Sequence, residues 1–191
     1  HGFAGLTGQV PPEEAFELLN TCYLLLFDAV SQHGGVVNQM VGADITALFG
    51  APLPLPDAPA AAARAARDAV EMIELLNAER TAQGKTALRL VIGIASGEVV
   101  AGQAGTHQRA TYACVGEPVD LAARLKERAA GSGYPVLVDG PTQAALALLA
   151  APAAHWAADG AGPAGVAVGG VPVPGNAGHV AAFALQVGQR P

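Results

Sequence analysis

The chain has 191 residues, 51% apolar but only 5% aromatic and with 24 glycines, which suits one domain with a closely packed, small-residue core burying about two-thirds of the unfolded surface. A formal net charge of -6 and a pI near 5.2 exclude the basic stripe that a phosphate backbone requires, so nucleic acid is set aside as a partner. No apolar run approaches the roughly eighteen residues of a membrane span and no charged-then-apolar signal opens the chain, so no membrane partner is expected, and two cysteines read as reduced thiols fit a cytoplasmic location.

From Pro12 to Val30, Phe16, Leu19, Cys22, Tyr23, Leu26 and Val30 recur at three- and four-residue steps. This spacing predicts an amphipathic helix, with Glu13 and Glu14 in the first turn where the helix dipole favours anions and His33-Gly34-Gly35 as its stop. Val36 to Val41 and Ile45 to Phe49 are β-rich runs around Gly42-Ala43-Asp44, a hairpin with a tight tip. Pro52, Pro54, Pro56 and Pro59 mark a loop, after which Ala60 to Glu79 resumes helical spacing through Ala66, Val70, Ile73 and Leu76.

Leu88 to Ala95 reads as a central strand buried on both faces, continued from Glu98 to Ala101 after Ser96-Gly97. Thr111 to Val115 predicts a short strand, Gly116-Glu117-Pro118 a turn, and Val119 to Ala130 a helix. Tyr134 to Val138 follows as a strand and Pro141 to Leu149 as a helix. From Ala150 the sequence turns to Ala, Gly and Pro, with a mobile loop expected at Gly160 to Gly165. Val166 to Val168 and Val171 to Val173 are expected as short paired edge strands, and Val180 to Val187 as a closing strand. The pattern predicts a single α/β (α+β) domain over residues 1–191, a sandwich with helices packed on one face of a mostly antiparallel sheet.

Cys22 and Cys114 lie in apolar stretches and form no CxxC, so buried reduced thiols are expected. His33, His107, His155 and His179 have no ligand spacing and are assigned no chemistry. The glycines at 97, 102 and 105 do not open a helix as a phosphate-binding loop does, and are read as turns and close approaches.

Five blocks stand in order and in register: His1-Gly2-Phe3-Ala4-Gly5-Leu6-Thr7; Pro12-Glu13-Glu14 through Asn20; His33-Gly34-Gly35 with the hairpin closing at Phe49-Gly50-Ala51-Pro52; Ile92 through Gly102; and Tyr112 through Leu125. Together they resemble the catalytic domain of class III adenylyl and guanylyl cyclases, over residues 1–149. The resemblance implies a ferredoxin-like βαββαβ core, with 150–191 as a loop and C-terminal β extension. A start at His1 without methionine suits a segment of a longer chain, and the family places a central strand ahead of that position. Which residues pair with Leu88 to Ala95 decides what fills that slot.

Cyclisation is a phosphoryl transfer in which the ribose 3′-hydroxyl attacks the α-phosphorus and pyrophosphate leaves, and two divalent cations neutralise the oxygens. The resemblance puts one metal-binding Asp ahead of His1 and the other at Ala43, whose methyl cannot coordinate Mg²⁺. Asp44 is the neighbouring acid, but alternation along a strand turns it to the opposite face, which leaves it as a turn residue unless a bulge re-aims it. The base-reading pair falls on Gln39, able to donate and accept hydrogen bonds or simply a solvated polar residue, and on Ala113, which offers nothing. The transition-state pair falls on Asp120 and Arg124. Arg124 suits a developing phosphoryl charge, whereas Asp120 replaces a neutral amide by an anion that either repels a triphosphate or pairs with Arg124 one turn on.

The leading expectation is a degenerate cyclase domain that keeps the fold and acts as a dimerising regulatory or interaction module, with no cofactor. Its partner is a second copy, or another cyclase domain whose metals would face Gln39, Asp120 and Arg124. The alternative is an active adenylate cyclase, using ATP with Mg²⁺ or Mn²⁺ at a non-standard site.

Overall fold

Pro12 stands in the first turn of helix α1 (Pro12–Gln32), where its missing N–H costs nothing, and Glu13 and Glu14 follow in the same turn. Ala15, Leu18 and Ala29 are its buried residues. At the other end Gly34, at φ 72, donates to the Ser31 carbonyl, and Gly35 donates to that of Val30. A β-carbon on Gly35 would lie 2.6 Å from the Phe49 ring, so the double glycine lets the chain turn directly beneath the hairpin. The computed structural model describes residues 10–150, 166–172 and 179–185. The first motif, His1 to Thr7, and the loop expected at Gly160 to Gly165 lie outside the described residues.

The hairpin pairs β1 (Val36–Val41) with β2 (Asp44–Leu48), ending at Val41 opposite Asp44. The turn is therefore Gly42-Ala43 alone, with Gly42 at φ 58, and Asp44 belongs to the strand. The register slips between Val37 and Gln39, leaving Asn38 as the extra residue of a bulge.

Helix α2 (Ala58–Ala82) buries an alanine face together with Val70 and Ile73. The stretch after it is held by side chains instead of a ladder. Arg80, itself buried, donates twice to the Thr86 carbonyl, and Asn77 bonds both backbone groups of Leu88. These bonds take the groups a strand would use, so the expected strand from Leu88 to Ala95 contracts to β3 (Ile92–Ile94). Its expected continuation through Ala101 is likewise corrected: Ser96 donates its N–H to the Asp139 carboxylate, and Val100 opens a separate hairpin. That hairpin pairs β4 (Val100–Thr106) with β5 (Arg109–Val115).

Helix α3 (Glu117–Ser132), strand β6 (Val136–Asp139), helix α4 (Gly140–Ala150) and strands β7 (Val166–Pro172) and β8 (His179–Ala184) complete the described elements. The main sheet runs β3-β6-β8-β7, parallel between β3 and β6 and antiparallel elsewhere, so a mixed α+β fold with mostly antiparallel pairing is present as expected. Two details differ. Leu137, Ala182 and Ala184 pack with Leu121, Leu125 and Ala129 of α3, whereas Val136 and Val138 pack with Ala66 and Val70 of α2. Alternation along β6 thus buries both faces, and helices cover both sides of the main sheet instead of one. The valine runs near the C-terminus are not paired with each other; Val166–Pro172 is one strand, bulged between Ala167 and Gly169, that pairs with β8.

Ile92 to Ile94 pair with Val136 to Val138, and among the described residues no strand pairs the other edge of β3. No helix among the described residues is long and apolar enough to cross a membrane.

Candidate functional site

Glycine packing sets the site's geometry. A β-carbon on Gly93 would stand 2.1 Å from the Ala122 carbonyl oxygen and 2.5 Å from the Lys126 nitrogen, so α3 lies directly on β3. One on Gly97 would meet Pro118 at 2.7 Å, which fixes the start of the same helix. Helix α3 carries Asp120 and Arg124, the two residues expected from the sequence at the transition-state positions.

Arg124 donates from Nη1 to the Pro172 carbonyl at 3.0 Å, and Arg128, one turn on, reaches that of Val168 at 3.4 Å. Both guanidinium groups therefore tie α3 to β7. Among the described residues no ion pair joins Asp120 to Arg124; Asp120 is exposed in the first turn, beside Glu117. The anticipated pairing does not form because Arg124 turns toward strand carbonyls.

At the hairpin tip Ala43 is exposed and its side chain offers no ligating atom. Tyr23 of α1 donates its hydroxyl to the Gly42 carbonyl. Asp44 is ion-paired to Lys126 of α3, Oδ2 to Nζ at 2.9 Å. With Asp44 67% and Lys126 31% exposed, the pair contributes about 0–1 kcal/mol to stability. Neither Tyr23 nor Lys126 was singled out from sequence, since Tyr23 reads as part of a helical apolar stripe and no spacing connects Lys126 to a distant hairpin.

Gln39 is exposed on β1 opposite Thr46, and Ala113 is half-buried on β5 opposite Gly102. The two strands belong to separate two-stranded sheets.

Divalent cations of the Mg²⁺ type require several oxygen ligands, usually with at least one free carboxylate. Among the described residues no group of three or more His, Cys, Asp or Glu is placed to hold a metal. At the tip one carboxylate faces an ammonium and one carbonyl accepts a phenolic hydrogen. The described residues at the tip do not fit a metal pair.

A second polar cluster lies at the carboxyl ends of β3 and β6. Asp139, 1% exposed, accepts from the backbone N–H of Thr142 at 2.9 Å and of Ser96 at 3.1 Å, while the Ser96 and Thr142 hydroxyls meet at 2.7 Å. Asp139 thereby caps α4 and anchors the loop leaving β3. Cys22 and Cys114 are free thiols on different elements, and burial pushes both up from the ordinary thiol range, as suits inert residues.

Beside the hairpin, Asn20, Tyr23, Leu24, Phe27 and Met40 line an open groove of about 410 Å³. Its walls are apolar and exposed, with Leu24 at 66% and Phe27 at 48%.

The family profile described as the adenylate and guanylate cyclase catalytic domain matches residues 1–186. An uncharacterized protein of Mycobacterium tuberculosis, Rv1320c, is 37% identical over 134 residues, an alignment covering 70% of this chain and 22% of that protein. The chain thus spans about a fifth of such relatives. The crystal structure of the guanylyl cyclase Cya2 is similar over 97% of this chain and 86% of its own, with a TM-score of 0.76 and 25% identity. That of the adenylyl cyclase CyaB from P. aeruginosa covers 100% and 91%, with a TM-score of 0.82 at 23% identity, a likeness of fold.

Proposed function

The chain belongs to the adenylate and guanylate cyclase catalytic domain family, and from that membership we propose that it is a degenerate cyclase domain, acting as a dimerising regulatory or interaction module with little turnover of its own. The observation that supports this reading is the hairpin tip, where Lys126 pairs with Asp44 beside Ala43, the residue that the resemblance aligns with a metal-binding carboxylate. Phosphoryl transfer to an internal hydroxyl builds charge on oxygens that must be neutralised in place. With a methyl at Ala43 in place of one carboxylate, several kcal/mol of that stabilisation is lost, and each ~1.4 kcal/mol is tenfold in rate.

What remains is suited to contact. The groove lined by Leu24, Phe27 and Met40 presents an apolar surface beside the hairpin, of the kind that marks interaction sites. Arg124 on α3 falls, by the resemblance, at the family's transition-state position, which supports a heterodimer in which this chain lends Arg124 and Gln39 to a partner holding its own metal ligands. Pairing with such a domain, or with a second copy, is the partnership proposed, in the cytoplasm.

The test is formation of cyclic nucleotide from ATP and from GTP in Mn²⁺, with the purified chain alone and mixed with a cyclase domain whose carboxylates are intact. We expect turnover by the chain alone at least about a thousandfold below that of the intact domain. A rate near that of the intact domain would establish the alternative, an active adenylate cyclase with a non-standard site.

A further inference from the structure

Two oxygen-bearing groups at the tip of the β1–β2 hairpin are of the type hard cations take, the Gly42 carbonyl and the Asp44 carboxylate. Each is held by a donor from a different helix. The Tyr23 hydroxyl of α1 donates to the first and the Lys126 ammonium of α3 to the second, and the two holds flank Ala43 on either side. Lys126 is fixed in turn, because Gly93 seats its backbone against β3. Tyr23 also lines the apolar groove next to Met40, a residue of β1.

We infer that Tyr23 and Lys126 form a metal-free clamp on the hairpin tip, an internal ammonium and a phenol holding the oxygens that a divalent cation would otherwise engage. A cation approaching Asp44 meets a like charge 2.9 Å from Oδ2 and must compete with it against the repulsion while both are near. The clamp keeps the posture of the hairpin, and with it Gln39 on β1 and the groove wall at Met40, the same whether or not divalent ions are present. It deepens the degenerate-domain reading, and rests on that reading for its meaning in a nucleotide-signalling protein. Its test needs no nucleotide.

Hydrogen–deuterium exchange of the amides of residues 36–48 is measured in the whole chain, with Mn²⁺ and with a chelator. We expect the wild-type hairpin to exchange at the same rate in both. In chelator, Lys126→Met combined with Tyr23→Phe should exchange about tenfold faster, the combined loss of one hydrogen bond and one exposed ion pair. Lys126→Arg, which keeps a cation, should match the wild type. Should the double variant fail to fold, Asp44→Asn removes the same ion pair from an exposed position and should loosen the tip about threefold. Mn²⁺-dependent slowing in the wild type would overturn the clamp, as would wild-type rates in the double variant or in Asp44→Asn. Efficient turnover by the chain would sink the degenerate reading and leave the exchange result standing, so the two failures are distinguishable.

Discussion

Gly93 and Ala122 touch so closely that a β-carbon on the first would lie 2.1 Å from the carbonyl oxygen of the second. Helix α3 can reach β3 only because position 93 has no side chain, and that contact sets where Arg124 and Lys126 project. Gly93→Ala should therefore lower stability by about 3 kcal/mol or more, since backbone must move to admit the methyl. Gly131→Ala is the control: a β-carbon there meets nothing within 4 Å, in a helix. It should raise stability by about 0.5–1 kcal/mol. Urea denaturation of the two variants checks both signs.

Asp139 is buried and satisfies two backbone N–H groups, those of Thr142 and Ser96. Asp139→Ala removes the cap of α4 and leaves the Ser96 donor without its acceptor, for a loss of about 2–4 kcal/mol. Asp139→Asn keeps a single carbonyl oxygen and should lose about half as much. Thermal unfolding of the pair separates the two outcomes.

Arg124 bonds the Pro172 carbonyl at the surface, so Arg124→Ala should change the stability of the isolated chain by only about 1 kcal/mol. In a mixed dimer with a cyclase domain carrying intact carboxylates, the same variant should reduce the rate contributed by this chain about a hundredfold. Comparing denaturation with mixed-dimer turnover distinguishes a tether to β7 from a group lent to a partner.

Ala43→Asp puts a carboxylate at the exposed tip between the two holds. We predict Mn²⁺ affinity at least about tenfold above wild type by calorimetry, a gain that Lys126→Met should enlarge about threefold by freeing Asp44 as well.

Much of the frame was legible in the chain. His33-Gly34-Gly35 marked the end of α1, Gly42-Ala43-Asp44 the hairpin tip, one residue longer than the turn that forms, and Gly93 stood within the run that became β3. These features are local: a turn needs its residues within a few positions, and glycine announces it. What was not legible is what depends on partners far apart in sequence. Leu88 to Leu90 are apolar enough for a strand, yet Asn77 captures the Leu88 backbone from the preceding helix. The bond from Arg124 to Pro172 took the place of the helix-surface pair with Asp120 that i, i+4 spacing suggested. Asp44 was read from alternation alone, and Lys126, which defines its surroundings, lies on an element whose placement follows from the packing of Gly93. Helices on both faces of the main sheet, by contrast, are a local signal in Val136-Leu137-Val138, three consecutive apolar residues with no polar alternation.

The most direct measurement is calorimetric titration of ATP into the purified chain, with Mn²⁺ and with a chelator. Because the tip oxygens of Gly42 and Asp44 are held by Tyr23 and Lys126 and the Ala43 side chain brings no ligand, we predict the same weak affinity, or the same absence of heat, in both conditions. Tight binding that appears only when Mn²⁺ is present would contradict this, because it would require a set of metal ligands that the hairpin tip does not offer.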